Sequence, residues 1–145
     1  MNTKRLMCLD IGEKRIGIAV SDLLMITAQG VETYNRKEND LQADIDYILE
    51  TAKKQNAYKI VCGLPKNMNG SIGMQAEKSL EFGNILKEKG EYEVVFFDER
   101  LSTASAKRTL LEADTSRKKR KKVIDKVAAV YILQAYMDSG AERNV

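Results

Sequence analysis

Residues 6–20 read LMCLDIGEKRIGIAV. Two apolar runs, 6–11 and 15–20, are separated by the short polar stretch Gly12-Glu13-Lys14. Apolar runs joined by so tight a turn are typical of a β-hairpin, so the stretch predicts two antiparallel strands near the start of the chain. It also places Asp10 within the first apolar run, where a charge needs pairing or coordination to offset the cost of burial.

Beyond the hairpin, the pattern alternates between helices and strands. Apolar runs predict strands at 30–34, 59–63 and 92–97, and helical spacing predicts a helix at 39–55 behind an N-cap at Asn39. Further helices are predicted at 71–89, from an N-cap at Ser102 to about residue 112, and at 123–137 after a basic segment. This order predicts an α/β fold, a mixed sheet with a parallel part and helices on its faces.

Length and composition predict one domain over residues 1–145, since the chain has 145 residues and 43% hydrophobic content. No apolar run approaches the roughly 20 residues of a membrane span, and residues 1–5 lead straight into a strand instead of a signal sequence. We therefore expect a cytoplasmic protein with no membrane partner. Cys8 and Cys62 each lie in an apolar strand without CxxC spacing, which predicts buried, inert thiols.

Positive charge is concentrated in one segment of the chain. The net charge is +3, but residues 117–122 contribute +6, which leaves 3 − 6 = −3 elsewhere. Six adjacent cations repel one another, and a polyanion stabilises them by releasing its counterions. The run is therefore either a nucleic-acid contact or a solvated, mobile loop. Its residues are Arg117, Lys118, Lys119, Arg120, Lys121 and Lys122.

Three carboxylates lie far apart in the chain but at positions from which they can converge. Asp10 lies in the first strand, Glu99 ends the strand at 92–97, and Asp125 is expected one turn into the last helix. Ligands of parallel sheets gather beyond the carboxyl ends of the strands, and carboxylate oxygens favour Mg²⁺ or Mn²⁺ over Zn²⁺. Metal ions permit phosphodiester hydrolysis without histidine, and the chain has none. The pattern thus predicts a magnesium or manganese site.

Each carboxylate also has a simpler explanation when its motif is taken alone. Asp10 would cap the hairpin turn, Glu99 would belong to a soluble turn, and Asp125 would favour a helix's first turn because of the macrodipole. The D-x-G hairpin also occurs in actin-like ATPases and sugar kinases, where it binds nucleotide phosphates. Those folds clamp the nucleotide between two such domains, and this chain has room for one.

Four motifs, taken together and in order, resemble the YqgF family of the ribonuclease H-like superfamily, also called Holliday junction resolvases. They are residues 10–22 (DIGEKRIGIAVSD), 63–71 (GLPKNMNGS), 98–103 (DERLST) and 125–129 (DKVAA). The resemblance spans nearly the whole chain, and four ordered motifs are far more specific than any one of them.

The resemblance implies a fold and an activity. The fold is a five-stranded sheet in the order 3-2-1-4-5, with strand 2 antiparallel and helices on both faces. The activity is that of a magnesium-dependent nuclease that matures the 5′ end of the 16S ribosomal RNA precursor, with Asp10, Glu99 and Asp125 as catalytic, metal-binding residues. Other ribonuclease H-like enzymes usually take their second carboxylate from the fourth strand, so Glu99, which follows the fifth, must reach across one strand.

Further residues are expected to contact nucleic acid. Lys14, Arg15 and the basic segment would bind backbone phosphates, which position a strand without reading its sequence. Arg100 would pair with the neighbouring carboxylates or contact phosphate. Asn67 and Asn69 would offer amides to sugar or base edges, or would simply form a strand-to-helix connection.

Three functions from different classes fit these residues. Hydrolysis of RNA is favoured, cleavage of branched DNA uses the same site, and a non-catalytic nucleic-acid binding module would need none of the three carboxylates. A homodimer with two sites would favour the DNA junction, whereas a monomer would favour single-stranded RNA.

Overall fold

Five strands form one mixed sheet in the order β3-β2-β1-β4-β5. The computed structural model describes the backbone of residues 4–103 and 117–141, and the side chains of residues 4–103 and 127–141. β2 is antiparallel to both β1 and β3, whereas β4 is parallel to β1 and to β5. The predicted strand order and the predicted direction of the second strand are therefore confirmed. The strands are β1 (Arg5–Ile11), β2 (Arg15–Ser21), β3 (Ala28–Asn35), β4 (Ala57–Leu64) and β5 (Glu93–Asp98).

Helices cover both faces of the sheet. The helices are α1 (Leu41–Lys54), α2 (Met74–Gly90) and α3 (Arg117–Asp138), and a short 3-10 turn (Glu99–Leu101) follows β5. Met7 and Leu9 of β1 pack with α1 and α2, whereas Leu6 and Cys8 pack with α3. Successive side chains of a strand point to opposite faces, so this alternation divides the core into two layers. Both predicted cysteine thiols are free and buried, as expected.

The helix starts differ from those predicted. Asp40, not Asn39, caps α1, since its carboxylate accepts a hydrogen bond from the Ala43 amide, while Asn39 has a φ of 56°. α2 begins at Met74, three residues later than expected, behind Gly73. Of the predicted helix at 102–112, only Ser102 and Thr103 lie within the described residues.

The last helix begins earlier than expected. α3 starts at Arg117, so the basic segment 117–122 forms its first turns instead of preceding it, and the mobile-loop interpretation of that segment is wrong. Lysine and arginine are good helix formers, and this propensity offsets the repulsion between their charges. Within the described ranges 4–103 and 117–141, no helix is long and apolar enough to cross a membrane.

Candidate active site

Asp10 lies near the carboxyl end of β1, on the sheet face that α3 covers. It follows Leu6 and Cys8 at steps of two residues along the strand, and those two residues pack against α3. The side chain is 9% exposed. Glycines lie on both neighbouring strands, because Gly17 of β2 pairs with Asp10 and Gly63 of β4 directly follows Cys62, the partner of Leu9. Asp10 thus occupies a buried position flanked by residues without side chains.

Glu99 reaches the same face by crossing β4 at Gly63. It follows β5 in the 3-10 turn and is 8% exposed. A Cβ atom placed on Gly63 would lie 3.2 Å from Glu99 Cγ and 3.4 Å from Glu99 Cδ, so the glutamate side chain packs directly over this glycine. Glu99 was expected to reach across one strand. It can do so over Gly63, because this position of β4 has no side chain in the way.

The Cys8 thiol is buried near both carboxylates, and their charges affect its pKa. Burial raises the pKa of Cys8 well above its ordinary value, and its electrostatic interactions with the Cys62 thiol and with the carboxylates of Asp10 and Glu99 raise it further. Burial likewise raises the pKa of Cys62 to about 12. Both thiols therefore stay protonated at neutral pH, which excludes a cysteine nucleophile and leaves the carboxylates as the anionic groups of this face.

α3 closes this face with small residues and one isoleucine. Ala128, Ala129 and Ile132 are buried against the sheet. A Cβ atom on Gly63 would lie 2.9 Å from Ile132 Cδ1, so the helix packs tightly over the same glycine that Glu99 crosses. Position 125 lies four residues before Ala129 and seven before Ile132, on the same helical stripe.

The start of α3 removes one explanation of Asp125. The residue lies eight positions after Arg117, the first residue of the helix, and hence beyond its first turn. The macrodipole acts within the first turn, so the first-turn explanation is wrong, as is the expectation that Asp125 lies one turn into the helix. The side chain of Asp125 lies outside the described residues. The structure therefore brings Asp10 and Glu99 together, and the convergence of Asp125 with them stays a prediction.

The donor set fits a hard divalent cation. Asp10 and Glu99 supply buried carboxylate oxygens on one face, which are the ligands that Mg²⁺ and Mn²⁺ prefer. Among the side chains of residues 4–103 and 127–141, no group of three potential ligands is close enough to hold a metal ion. The predicted third ligand, Asp125, lies outside that set. The two buried carboxylates thus fit the predicted ion, and a third ligand from α3 stays a prediction.

Arg100 organises the loop that follows β4. Its Nε and Nη2 atoms donate hydrogen bonds to the Asp98 carboxylate, and its Nη1 donates to the Met68 carbonyl over 3.2 Å. Hydrogen bonding from Arg100 lowers the pKa of Asp98. Gly70, at a φ of +88°, faces the same guanidinium. Of the two roles expected for Arg100, pairing with a neighbouring carboxylate is the one observed.

Asn67 and Asn69 bond within their own loop. Asn67 Nδ2 donates to Ser71 Oγ, and Asn69 Oδ1 accepts hydrogen bonds from both the amide and the hydroxyl of Ser71. These side chains shape the connection between β4 and α2. Their contact with sugar or base edges is not seen in the protein alone and stays a prediction.

The hairpin turn that carries Lys14 and Arg15 is tied to α1 by a buried ion pair that the sequence interpretation missed. Arg36 donates to the Gly12 carbonyl and to the carboxylate of Asp44, which is 1% exposed. A signal for it was present, because Asp44 interrupts the apolar stripe of its helix, three residues after Leu41. Gly12 itself is required by the turn, since a Cβ atom there would lie 2.8 Å from the Arg15 carbonyl oxygen.

Lys14 and Arg15 border an open cleft of about 920 Å³ beside the hairpin turn. The rest of its lining carries charges of both signs, namely the cations Arg36, Lys37 and Lys78 and the carboxylates Glu13, Glu38, Asp40 and Asp44. The side chains of the basic segment 117–122 lie outside the described residues, and their contact with phosphates stays a prediction.

Comparisons with known proteins agree with this architecture. The family model RuvX, described as Holliday junction resolvase, matches residues 4–139. A protein of Clostridioides difficile named "Putative pre-16S rRNA nuclease" is 54% identical over 134 residues, which are 92% of this chain and 94% of that protein. A Staphylococcus carnosus protein of the same name is 52% identical over 140 residues, covering 96% and 99% of the two chains.

The fold also matches that of a solved structure. Thermus thermophilus RuvC in complex with Holliday junction substrate superposes with a TM-score of 0.62 at 10% sequence identity, over 95% of this chain and 97% of that one. At this identity the likeness concerns the fold, which is RuvC-like and ribonuclease H-like. From the family model and the relatives we conclude that the chain belongs to the RuvX family, the family that the four sequence motifs indicated under the name YqgF.

Proposed function

We propose that this protein is a metal-dependent nuclease that hydrolyses phosphodiester bonds, and that its substrate is the 5′ end of the 16S ribosomal RNA precursor. The observation that carries the proposal is that the buried carboxylates of Asp10 and Glu99 both lie near Cys8, with Glu99 packed over Gly63. The names of the relatives from Clostridioides difficile and Staphylococcus carnosus support the RNA substrate. The activity would be cytoplasmic and would reside in one domain over residues 1–145.

Asp10, Glu99 and Asp125 would hold Mg²⁺, or Mn²⁺ in its place. When bound at carboxylates, such ions activate a water for in-line attack on phosphorus and stabilise the departing oxygen. The protein's own contribution is to position these carboxylates. The buried strand end fixes Asp10, the packing over Gly63 fixes Glu99, and α3 fixes position 125. Lys14, Arg15 and the basic segment would hold backbone phosphates so that the scissile bond lies against the carboxylates.

The decisive experiment compares two substrates under two metal conditions. The purified protein is incubated with a single-stranded RNA that carries the precursor 5′ extension and with a four-way DNA junction, each in magnesium and in chelator. We expect magnesium-dependent cleavage of the RNA, and Asp10→Asn should abolish it. Asp46→Asn is the matched control, because Asp46 is an exposed carboxylate of α1 whose hydrogen bond from Gln42 the asparagine oxygen can keep. Equal loss in both variants, or cleavage that persists in chelator, would refute the proposal.

Cleavage of branched DNA is the second candidate. It is favoured by the description of the family, Holliday junction resolvase, and by the fold shared with Thermus thermophilus RuvC. Symmetric cutting of a junction requires two sites, so this function predicts a homodimer in solution, whereas trimming of single-stranded RNA needs only a monomer. Binding without cleavage of either substrate would instead support the non-catalytic module.

A further inference from the structure

Four large apolar side chains are exposed beside the carboxylates, and we call them the apolar rim. Their exposures are 92%, 42%, 74% and 69%. Single exposed apolar residues are ordinary on protein surfaces, but a cluster of them marks a site of interaction. The apolar rim consists of Met68, Ile72, Met74 and Leu101.

Hydrogen bonds connect the apolar rim to the edge of the sheet where the carboxylates lie. Arg100 Nη1 donates to the Met68 carbonyl, which ties the loop that carries Met68 to the turn that carries Glu99 and Leu101. On the other side, Gln75 Nε2 donates to the Ile11 carbonyl over 2.8 Å, which ties the start of α2 to the strand residue next to Asp10. The rim therefore borders the candidate site.

The polar groups of this loop are already engaged inside it. Asn67, Asn69 and Ser71 bond to one another, and the Arg100 guanidinium bonds to Asp98 and to Met68. The loop also offers apolar surface outward, which suits contact with the faces of flat rings. Lys66 directly precedes Asn67 of this loop, so a cation adjoins the apolar surface in sequence. A cation next to apolar surface matches a ligand that joins phosphates to aromatic rings.

We propose that the apolar rim packs against the faces of unpaired nucleobases that flank the scissile phosphate. The inference rests on the proposed nuclease function and adds to it the class of substrate. Bases within a duplex have both faces covered by their neighbours, whereas unpaired bases offer a free face to side chains. The rim therefore selects single-stranded nucleotides next to the site over fully paired ones.

The test compares two pairs of exposed residues in an Asp10→Asn background, which prevents cleavage during binding. Met68→Ser combined with Leu101→Ser removes half of the rim. Leu24→Ser combined with Ile26→Ser is the matched control, because these residues are 77% and 60% exposed. They lie in the turn between β2 and β3, next to Ser21. The Ser21 hydroxyl accepts a hydrogen bond from the Leu6 amide near the start of β1, so this turn lies at the end of the strands opposite to Asp10.

Dissociation constants are measured for a single-stranded RNA and for the same RNA annealed to its complement, at several salt concentrations. We expect the rim variant to bind the single strand about tenfold more weakly, about 1.4 kcal/mol, with an unchanged salt dependence because no charge is removed. Duplex binding and the control variant should be unaffected. Met74→Ser serves as a second, independent change in the rim.

Two results would overturn the inference. One is a rim variant that binds the single strand as tightly as the control does, and the other is an equal loss on single strand and duplex. Failure of the proposed function is seen separately, in the wild-type cleavage assay. If the wild type cleaves in magnesium while both rim variants bind like the control, only the role of the rim is refuted.

Discussion

Replacing Gly63 by alanine tests whether the crossing of β4 by Glu99 positions the site. The new Cβ would lie 2.9 Å from Ile132 Cδ1 and 3.2 Å from Glu99 Cγ. Carbon atoms in contact prefer separations of about 3.5–4.0 Å, so the isoleucine must yield by at least about 0.6 Å and the glutamate by about 0.3 Å. Overpacking of this kind costs about 1–3 kcal/mol of stability.

The loss of activity should exceed what the loss of stability explains. A misplacement of about 1 Å can lower a catalytic rate by about 100-fold, so we expect Gly63→Ala to reduce magnesium-dependent cleavage by about 10- to 100-fold. Two assays are needed, urea unfolding for the free energy of unfolding and kcat/KM at a temperature where the variant is fully folded.

Two further variants separate packing from position. Gly83→Ala overpacks the opposite face, where its Cβ would lie 2.6 Å from the Phe96 ring, and should destabilise the protein without a loss of activity. Adding Ile132→Val to Gly63→Ala removes the Cδ1 atom that collides, which should restore part of the stability but leave the contact with Glu99 and hence the low activity. If Gly63→Ala, fully folded, is as active as Gly83→Ala, the reasoning about Glu99 is wrong.

Three further predictions concern other parts of the molecule. Burial, aided by the hydrogen bond to Asp44, raises the pKa of Tyr34 from 10.0 to about 12, so the folded state holds this proton more tightly than the unfolded chain. The resulting stability is complete below about pH 10 and is lost as the pH rises through about 12, and urea unfolding across this range should show no such loss in Tyr34→Phe. Replacing the six cations of residues 117–122 by glutamine should weaken nucleic-acid binding. In a salt titration with a single strand, the slope of log K against log salt should fall by up to about 0.7 for each phosphate that the variant no longer neutralises. Asp40→Ala removes the cap that accepts from the Ala43 amide and should lower the free energy of unfolding by about 1 kcal/mol in urea titration, whereas Asn39→Gly, which tolerates the φ of 56° at this position, should not.

The strands were predicted well because the sequence signals for strands and tight turns lie within a few residues of one another. The hairpin depends on two apolar runs and a tight turn, and both strands lie where the pattern placed them. The predicted N-cap of α1 was wrong, although this signal is also local. Asn39 and Asp40 are both good N-caps, and only the backbone conformation decides between them. Asn39 adopts a left-handed φ of 56°, which leaves the cap position to Asp40.

The arrangement at Gly63 could not be predicted, because it depends on register. Whether a glycine of β4 lies beneath Glu99 follows from how β1, β4 and β5 align, and no short-range pattern encodes that alignment. The ion pair of Arg36 with Asp44 was not predicted for the same reason, because its two residues come from different elements. The start of α3 was missed because charge repulsion was weighed above helix propensity.

The early start of α3 changes how substrate binding and catalysis are linked in the proposed function. If the basic segment were a separate loop, its hold on phosphates would transmit little to the carboxylates. Because residues 117–122 continue into the same helix, the backbone of the segment and that of Asp125 belong to one element. With a rise of about 1.5 Å per residue, Arg117 and Asp125 lie about 12 Å apart along the helix axis, a spacing of a few nucleotides. Ala128, Ala129 and Ile132 pack this helix against the sheet. In the proposed function, the contact that sets the distance from α3 to Asp10 would therefore also set where a bound strand runs.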